Sequence, residues 1–349
     1  MNIMPLGPGG QDVRRLQSTG GSTFTLSLPK PWVVQHKLSS RDVLKIDWRP
    51  SGALRITPLD VEEKLEKSVF LSMNKLPENS LFDHLMGAYI SGADLIKIGT
   101  KISPKRKSNL RVRRFLRHTR GFEIFEETDD SLVLKCLLNP GDMPIHASLN
   151  RMYLLLTSLV RDLLSVFEGE DKEFIQDAAD RENEVDALLY LIERQVRISL
   201  DSYKVASSLN ISRTQALEFA NLARSLERMM DHAYTLSELV KENPNLTTNM
   251  IDMAPLEQLP KWQLALKELM INIRTRDSTR IEIARGDLKK CQQVLKVHEK
   301  DLLDNHRHNE WMAFDLSLSE SVRRLCAYAR DFGEILLNML VFSKIVASN

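Results

Sequence analysis

Glu182 and Asp186 stand four residues apart in one apolar-periodic stretch, and Glu227 and Asp231 repeat that spacing in another. Residues four apart share a helix face, so each pair projects two carboxylates in one direction. If the two helices pack side by side, four carboxylates converge. An all-oxygen donor set of that kind suits magnesium, manganese or iron rather than zinc. The competing arrangement is a set of ordinary ion pairs, because Arg224 precedes Glu227 by three residues and Arg228 precedes Asp231 by three. A chain of this kind predicts no enzyme. Gly20-Gly21-Ser22-Thr23 lacks the frame of a phosphate-binding loop, and neither a GxSxG nor an HExxH pattern occurs.

Other residues with chemical potential are fewer. Arg14 and Arg15 form a basic pair near the start, in a stretch (residues 1–60) that carries a net charge of +4 while the whole chain is balanced at +1. Nucleic-acid binding needs only a local positive face, so this is sufficient without a global field. Lys105, Arg106, Lys107, Arg111, Arg113, Arg114 and Arg117 mark one helical segment with no acid among them. It reads as a solvated face or as a second anion surface. His232 reads as a hydrogen-bonded packing histidine, and His298, His306 and His308 as surface groups at a helix end. The three cysteines, Cys136, Cys291 and Cys326, show no CxxC spacing, which argues against zinc and against a disulfide framework. Cys291 and Cys326 read as core filling. A reducing, cytoplasmic setting is expected, with no signal peptide and no run of 18 apolar residues to enter a membrane.

These side chains must be positioned by three different kinds of element. In residues 13–58, Phe24, Leu26 and Leu28 alternate with Thr23, Thr25 and Ser27 as in a half-buried strand. Gly20-Gly21 supplies a turn before it, and Pro31 suits the first position of a short helix through Val34. Leu44 and Ile46, then Leu54 and Ile56, repeat the alternation about a Pro50-Ser51-Gly52 turn. So small a unit needs a partner copy. Residues 66–140 predict a β-α-β-α-β-β sandwich, with Ser103-Pro104 opening its second helix. From Pro144 onward the period is helical: Leu149, Met152, Tyr153, Leu156, Leu159, Val160, Leu163 and Phe167 form one stripe. A first helix is expected to carry this stripe, followed by helices at about 171–200, 212–242, 256–284, 287–308 and 311–345. Leu226–Ala233 aligns with Val322–Ala329 at an offset of 96 residues, which predicts two three-helix units in tandem.

Two resemblances follow from these motifs. Gly20 to Thr23, Leu26 to Lys30, Leu38 to Val43 and Leu54 to Pro58 resemble the swapped-hairpin AbrB/MazE/SpoVT module, in which two chains interleave hairpins into one DNA-binding dimer. That resemblance implies a homodimer in which Arg14 and Arg15 sit on the first strand and meet DNA; the plainer alternative is a hairpin unit that only dimerises. Glu227-Arg228-x-x-Asp231-His232-Ala233 resembles the "ER-x-x-D-H-x" motif of the PhoU family, and Glu182-Asn183-Glu184-Val185-Asp186 its other acidic helix. In that family such acidic pairs bind multinuclear metal clusters, iron among them. Both modules together resemble archaeal PhoU-domain regulators with an AbrB-like head.

The resemblance implies a multidomain α+β chain. A swapped-hairpin β domain would occupy residues 1–62, a small α/β linking domain 63–140, and tandem PhoU-like three-helix bundles 141–349 (about 141–245 and 255–346). It implies a regulator acting on the promoters of phosphate-uptake genes, with a metal at Glu182, Asp186, Glu227 and Asp231. The alternative is an adaptor docking on a phosphate transporter's ATPase subunit. The second repeat departs from the motif. Lys300 stands where Glu182 would, opposite Asp304, and Arg323 and Ala327 replace Glu227 and Asp231. A single cluster, in the first repeat, is therefore expected.

Overall fold

Two short hairpins open the chain because glycines permit the turns and prolines end the strands. A computed structural model describes residues 13–21, 23–48, 52–58, 66–99, 105–243, 252–304 and 311–345, without the side chains of 105–109, 203 and 214. It divides into two units, Met1–Leu65 and Glu66–Asn349. In the first, β1 (Gln17–Thr19) pairs antiparallel with β2 (Thr23–Thr25). Gly20 and Gly21 between them take φ of 68° and 81°, a left-handed backbone that a side chain would strain. Helix α1 (Lys30–Gln35) forms where expected but starts one residue earlier, capped by Pro29 with Pro31 at its second position rather than its first. Strands β3 (Leu44–Trp48) and β4 (Leu54–Pro58) pair with Ile46 opposite Ile56.

The strand expected through Leu28 stops at Thr25. Its partner β1 offers only three residues, and a ladder ends where its partner ends. No described residue of this unit is buried. Phe24, Ile46, Leu54 and Trp48 are all more than 60% exposed, Trp48 as much as 81%. Among its described residues the unit has apolar faces and no core within one chain.

In the second unit β5 (Ser68–Ser72), α2 (Leu81–Ile90), β6 (Leu95–Gly99), α3 (Lys105–His118), β7 (Phe122–Glu127) and β8 (Ser131–Cys136) follow the expected order. The Ser103-Pro104 start signal lies outside the described residues. The sheet runs β5-β6-β8-β7, with β5 and β6 parallel and the remaining neighbours antiparallel. Its core is aromatic: Tyr89 and Phe115 each meet Phe122 edge-on at 5.6 Å between ring centroids. Such pairs add to simple area burial.

The helical part comprises α4 (Ile145–Phe167), α5 (Ala178–Asp201), α6 (Tyr203–Ser208), α7 (Arg213–Glu242), α8 (Met253–Leu256), α9 (Gln258–Thr275), α10 (Ser278–Asp304) and α11 (Met312–Phe342). Helices α4, α5 and α7 form one trio and α9, α10 and α11 the other, over one continuous core. Helix α7 begins with a reciprocal capping box between Ser212 and Gln215. None of the described helices is long and apolar enough to cross a membrane.

Three features differ from expectation. The second helix begins at Ala178 rather than at 171, after a separate 3-10 turn (Lys172–Ile175) capped by Asp171; helix α6 was not anticipated; and the α9–α10 junction falls at Arg276-Asp277 rather than at 284–287. Arg276 adopts φ 51°, Asn272 Oδ1 accepts from the Asp277 N–H at 2.9 Å, and Asp277 Oδ1 accepts from the N–H groups of Thr279 and Arg280. Asp277 is thus an N-cap. Gly286, which suggests a break, lies inside α10.

The offset of 96 residues has a spatial meaning. His232 on α7 and its counterpart Tyr328 on α11 stack on each other, ring centroids 5.8 Å apart and planes 25° from parallel. Arg228 lies over the Tyr328 ring at 5.5 Å, and its counterpart Arg324 is close enough to help depress the His232 pKa, after burial. Reciprocal contacts between equivalent residues define a local two-fold relation between the trios.

Helix α5 also carries the sheet layer. Arg194, 2% exposed, donates through Nη1 to the Tyr89 carbonyl at 2.7 Å, with Nη2 3.5 Å from Asp94 Oδ1. Its guanidinium lies over the rings of Tyr89 (5.1 Å) and Phe122 (5.6 Å). The next residue, Gln195, donates through Nε2 to the carbonyls of Pro140 and Met143 at 2.8 and 2.7 Å. Arg194→Ala is expected to cost about 3 kcal/mol of unfolding free energy, the scale for breaking a buried charge pair. Arg194→Lys should recover little, since a point charge cannot both stack and fork. Urea denaturation of the two variants checks this; a loss below about 1 kcal/mol in Arg194→Ala would make the contact peripheral.

Candidate metal centre

The faces of α5 and α7 that turn toward each other are apolar except at their rim. Val185 on α5 and Leu226, Met229 and Met230 on α7 are buried, so the residues beside them are drawn to the seam. This brings one carboxylate oxygen each from Glu182, Asp186 and Asp231 within 4.8 Å of one another. Glu182, Asp186 and Glu227 are half-buried and Asp231 is exposed. Glu227, one turn before Asp231, is not within that closest group of three, yet its carboxyl feels both Asp231 and Asp186. The convergence expected from the spacing is therefore present, three oxygens tightly and the fourth alongside.

The electrostatics are those of like charges crowded into partial burial. Burial first, then Asp186 and Asp231, push the Glu182 carboxyl up to about 7. Burial and Asp231 push Asp186 up to about 6, with His118 opposing. Burial, Asp231 and Asp186 push Glu227 up to about 7 against Arg228 and Arg224. Burial raises Asp231 as well, opposed by Arg228. Tyr190, one turn beyond Asp186, is pushed up to about 12 by burial and then by four surrounding carboxylates.

The arginines that the spacing offered as neutralising partners are engaged elsewhere. Arg224 forms its ion pair with Glu193, and Arg228 stacks on Tyr328. Among the described residues no ion pair holds any of the four carboxylates. Glu184, in the same acidic run, is different: Arg151 grips both its oxygens at 2.9 and 3.1 Å, and Arg120 lies 3.9 Å away. The second trio supplies an internal comparison. Arg323 occupies the place of Glu227 and meets Glu299 on α10 through Nε at 2.8 and 3.1 Å. Lys300 lies 3.9 Å from Asp304. That seam neutralises itself; the α5–α7 seam does not. Its all-oxygen donor set, with carboxylates that nearby cations offset only in part and that no described ion pair holds, fits a hard cation such as magnesium, manganese or iron.

Sequence reasoning did not bring in Tyr190 or His118. Tyr190 was readable as an i+4 neighbour of Asp186, whereas His118 comes from the sheet layer and no local signal points to it. His232 packs against Tyr328 as a packing histidine would, but it is not the hydrogen-bonded one expected, since its Nδ1 is buried with no hydrogen-bond partner. His298 is not a surface group. It is buried between Ser319 Oγ, 3.2 Å from Nδ1, and Asp252 Oδ2, 3.1 Å from Nε2, because it faces α11 across the seam. His306 and His308 lie outside the described residues.

Arg14 and Arg15 are both exposed and stand ahead of β1 rather than on it, since that strand begins at Gln17. On α3, Arg111 bonds to Asn79 and Arg114 lies over the Phe82 ring at 4.5 Å, while Arg113 and Arg117 are exposed.

The PhoU domain family model matches residues 149–240, the span that contains all four carboxylates. The solved phosphate transport system regulatory protein PhoU from Streptococcus pneumoniae is similar over 58% of this chain and 96% of its own, at 15% identity and a TM-score of 0.47. No curated protein matches the chain.

A pH dependence follows from the seam. The folded protein holds protons on Glu182, Asp186 and Glu227 up to about pH 6–7, whereas the unfolded chain releases them near about pH 4. The folded state binds more protons across that window, so without metal its stability falls as pH rises through it. The melting temperature in chelator is expected to be a few degrees higher near about pH 5 than near about pH 8. Glu182→Gln with Glu227→Gln should flatten that fall. A melting temperature that rises over the interval would mean that the surrounding cations outweigh the crowding.

Proposed function

We propose that this chain is a dimeric, non-enzymatic regulator of phosphate uptake. Its helical half would hold a metal ion or cluster at Glu182, Asp186, Glu227 and Asp231, and its N-terminal unit would bind promoter DNA. The observation that carries the reading is the carboxylate seam, offset only in part, inside the span matching the PhoU domain. In the same chain, the equivalent seam is neutralised by Arg323 and Glu299. Such a site, when filled, supplies a charge that couples the separation of α5 and α7 to metal or phosphate status. The protein's own part is to hold the oxygens together against their repulsion.

Protein purified anaerobically is expected to carry iron, manganese or magnesium. Glu227→Ala with Asp231→Ala should remove it, and Asp304→Ala should not. Elemental analysis decides; a parent protein without metal after soaking would leave the carboxylates as protonated seam residues.

For the head, support comes from its lack of a core within one chain and from the exposed Arg14 and Arg15 beside the β1–β2 hairpin. A second copy would bury Phe24, Ile46, Leu54 and Trp48 and set four arginines on one face. If all four meet phosphate, they contribute roughly −3 to −4 to the slope of log affinity against log salt. Arg14→Ala with Arg15→Ala should flatten the slope by that amount and leave the dimer intact, as read by gel shift on phosphate-uptake promoters and by sedimentation. An unchanged slope would move the DNA surface elsewhere. The second reading is a cytoplasmic adaptor on a transporter's ATPase subunit, with the head only a dimer clamp. It is favoured by the PhoU-domain match taken alone, and it predicts no DNA affinity to lose.

A further inference from the structure

A cleft of about 520 Å³ lies between the first half of α5 and the end of α3 with the turn that follows it. Arg117, His118 and Arg120 line it from the sheet layer, and Asp180, Asn183 and Glu184 from α5. Among the described lining residues only Ala187 is apolar.

The basic side of this cleft is held by its backbone. Tyr89, buried, donates through Oη to the Arg120 carbonyl at 3.2 Å, and the same oxygen accepts from the Arg120 N–H at 3.3 Å. Gly121 follows with φ 85°, where a Cβ would collide with Leu138, so the chain folds back sharply after Arg120. His118 donates through Nδ1 to the Arg114 carbonyl at 2.9 Å, which leaves Nε2 as its uncommitted ring nitrogen.

The charges are only partly spent. Arg120 Nη2 lies 3.9 Å from Glu184, but Arg151 already grips both oxygens of that carboxylate at 2.9 and 3.1 Å. Arg117 is exposed, and among the described residues no ion pair holds it. Asp180 is likewise exposed and unpaired among them.

We propose that this cleft binds inorganic phosphate, gripped by Arg117 and Arg120 and selected by Asp180. The inference rests in part on the regulator reading above, to which it supplies the signal.

A guanidinium presents paired N–H groups that match two oxygens of a tetrahedral oxyanion. An ionised Asp180 is an acceptor only, so it repels a bare oxyanion and accepts from one that carries a proton. Near neutral pH phosphate keeps a P–OH group and sulfate carries no proton. The cleft is larger than one such anion, and its polar lining suits bridging waters rather than an organic group. Free phosphate therefore fits better than a phosphorylated metabolite.

The test is isothermal titration of the full chain with sodium phosphate, in chelator and at fixed chloride. Saturable binding is expected. Arg117→Ala and Arg120→Ala should each weaken it at least about tenfold, the scale of a charge-assisted hydrogen bond. Arg113→Ala, exposed on the same helix and outside the cleft, should leave it unchanged. Sulfate should bind at least about tenfold more weakly than phosphate, and Asp180→Asn, whose amide donates, should close that gap. Circular dichroism checks each fold; if Arg120→Ala unfolds, Arg117→Ala and Asp180→Asn decide.

A parent chain that takes up no phosphate, or one that binds sulfate as well as phosphate, would overturn the proposal. So would equal affinities in Arg117→Ala and Arg113→Ala. Chelator keeps metal out of the result. A chain that carries metal and binds promoter DNA yet takes up no phosphate keeps the regulator reading and loses this site. Phosphate bound in the cleft by a chain with neither metal nor DNA affinity supports the site and removes that reading.

Discussion

A guanidinium taken out of water is costly unless its charge is balanced, and for Arg194 the sheet layer supplies both a charge partner and a carbonyl acceptor while Nη2 is left without a hydrogen-bond partner. The Tyr89 carbonyl takes one donor, Asp94 stands against the charge, and two aromatic rings cover the flat face. The contact therefore fixes one helix against one sheet in both position and rotation. Helix α5 cannot turn about its axis without stranding a buried charge. Its rotation in turn decides which residues line the seam with α7, since Glu182 and Asp186 lie about three and two turns before Arg194 on the same rigid element. The sheet layer is thus a clamp on the angular setting of the carboxylates.

That setting holds the carboxylates where they repel. Folding brings Glu182, Asp186 and Asp231 together because Val185, Leu226 and Met230 must be buried beside them, and the apolar gain is larger than the repulsion. The second trio shows that the same backbone arrangement needs no such tension. There Arg323 and Glu299 make a two-pronged ion pair at the equivalent depth. The contrast lies in side-chain charge alone, and it separates a seam that is complete in itself from one completed by a cation or by protons.

Much of this was legible because it is local or periodic. The i, i+4 spacing of the acids, the sheet-layer order and the offset of 96 residues follow from period and turn chemistry read over short windows. What was not legible is mostly non-local. That Arg224 spends its charge on Glu193 rather than on Glu227 depends on how α5 and α7 are set side by side, and both choices satisfy the same helix spacing. His298 looked like a helix-end group, yet it is buried because α11 and Asp252 close over it. The α9–α10 junction was a competition between two local signals. Gly286 suggests a break, but glycine inside a helix costs only about 1 kcal/mol. The Asp277 cap, supported by Asn272, supplies three hydrogen bonds at the turn.

The N-terminal unit obeys a different constraint from the rest. Its hairpins form their own ladders, but they leave Phe24, Ile46, Leu54 and Trp48 facing solvent. Burying such side chains is worth about 1.5–3 kcal/mol each, a gain this unit forgoes within one chain. The helical half, by contrast, carries a continuous core of its own. A chain built this way separates two jobs physically. The part with an independent core can hold a strained, charge-bearing seam without unfolding. The other part shows no core among its described residues, and it leaves its apolar side chains, with Arg14 and Arg15, on the surface of one chain.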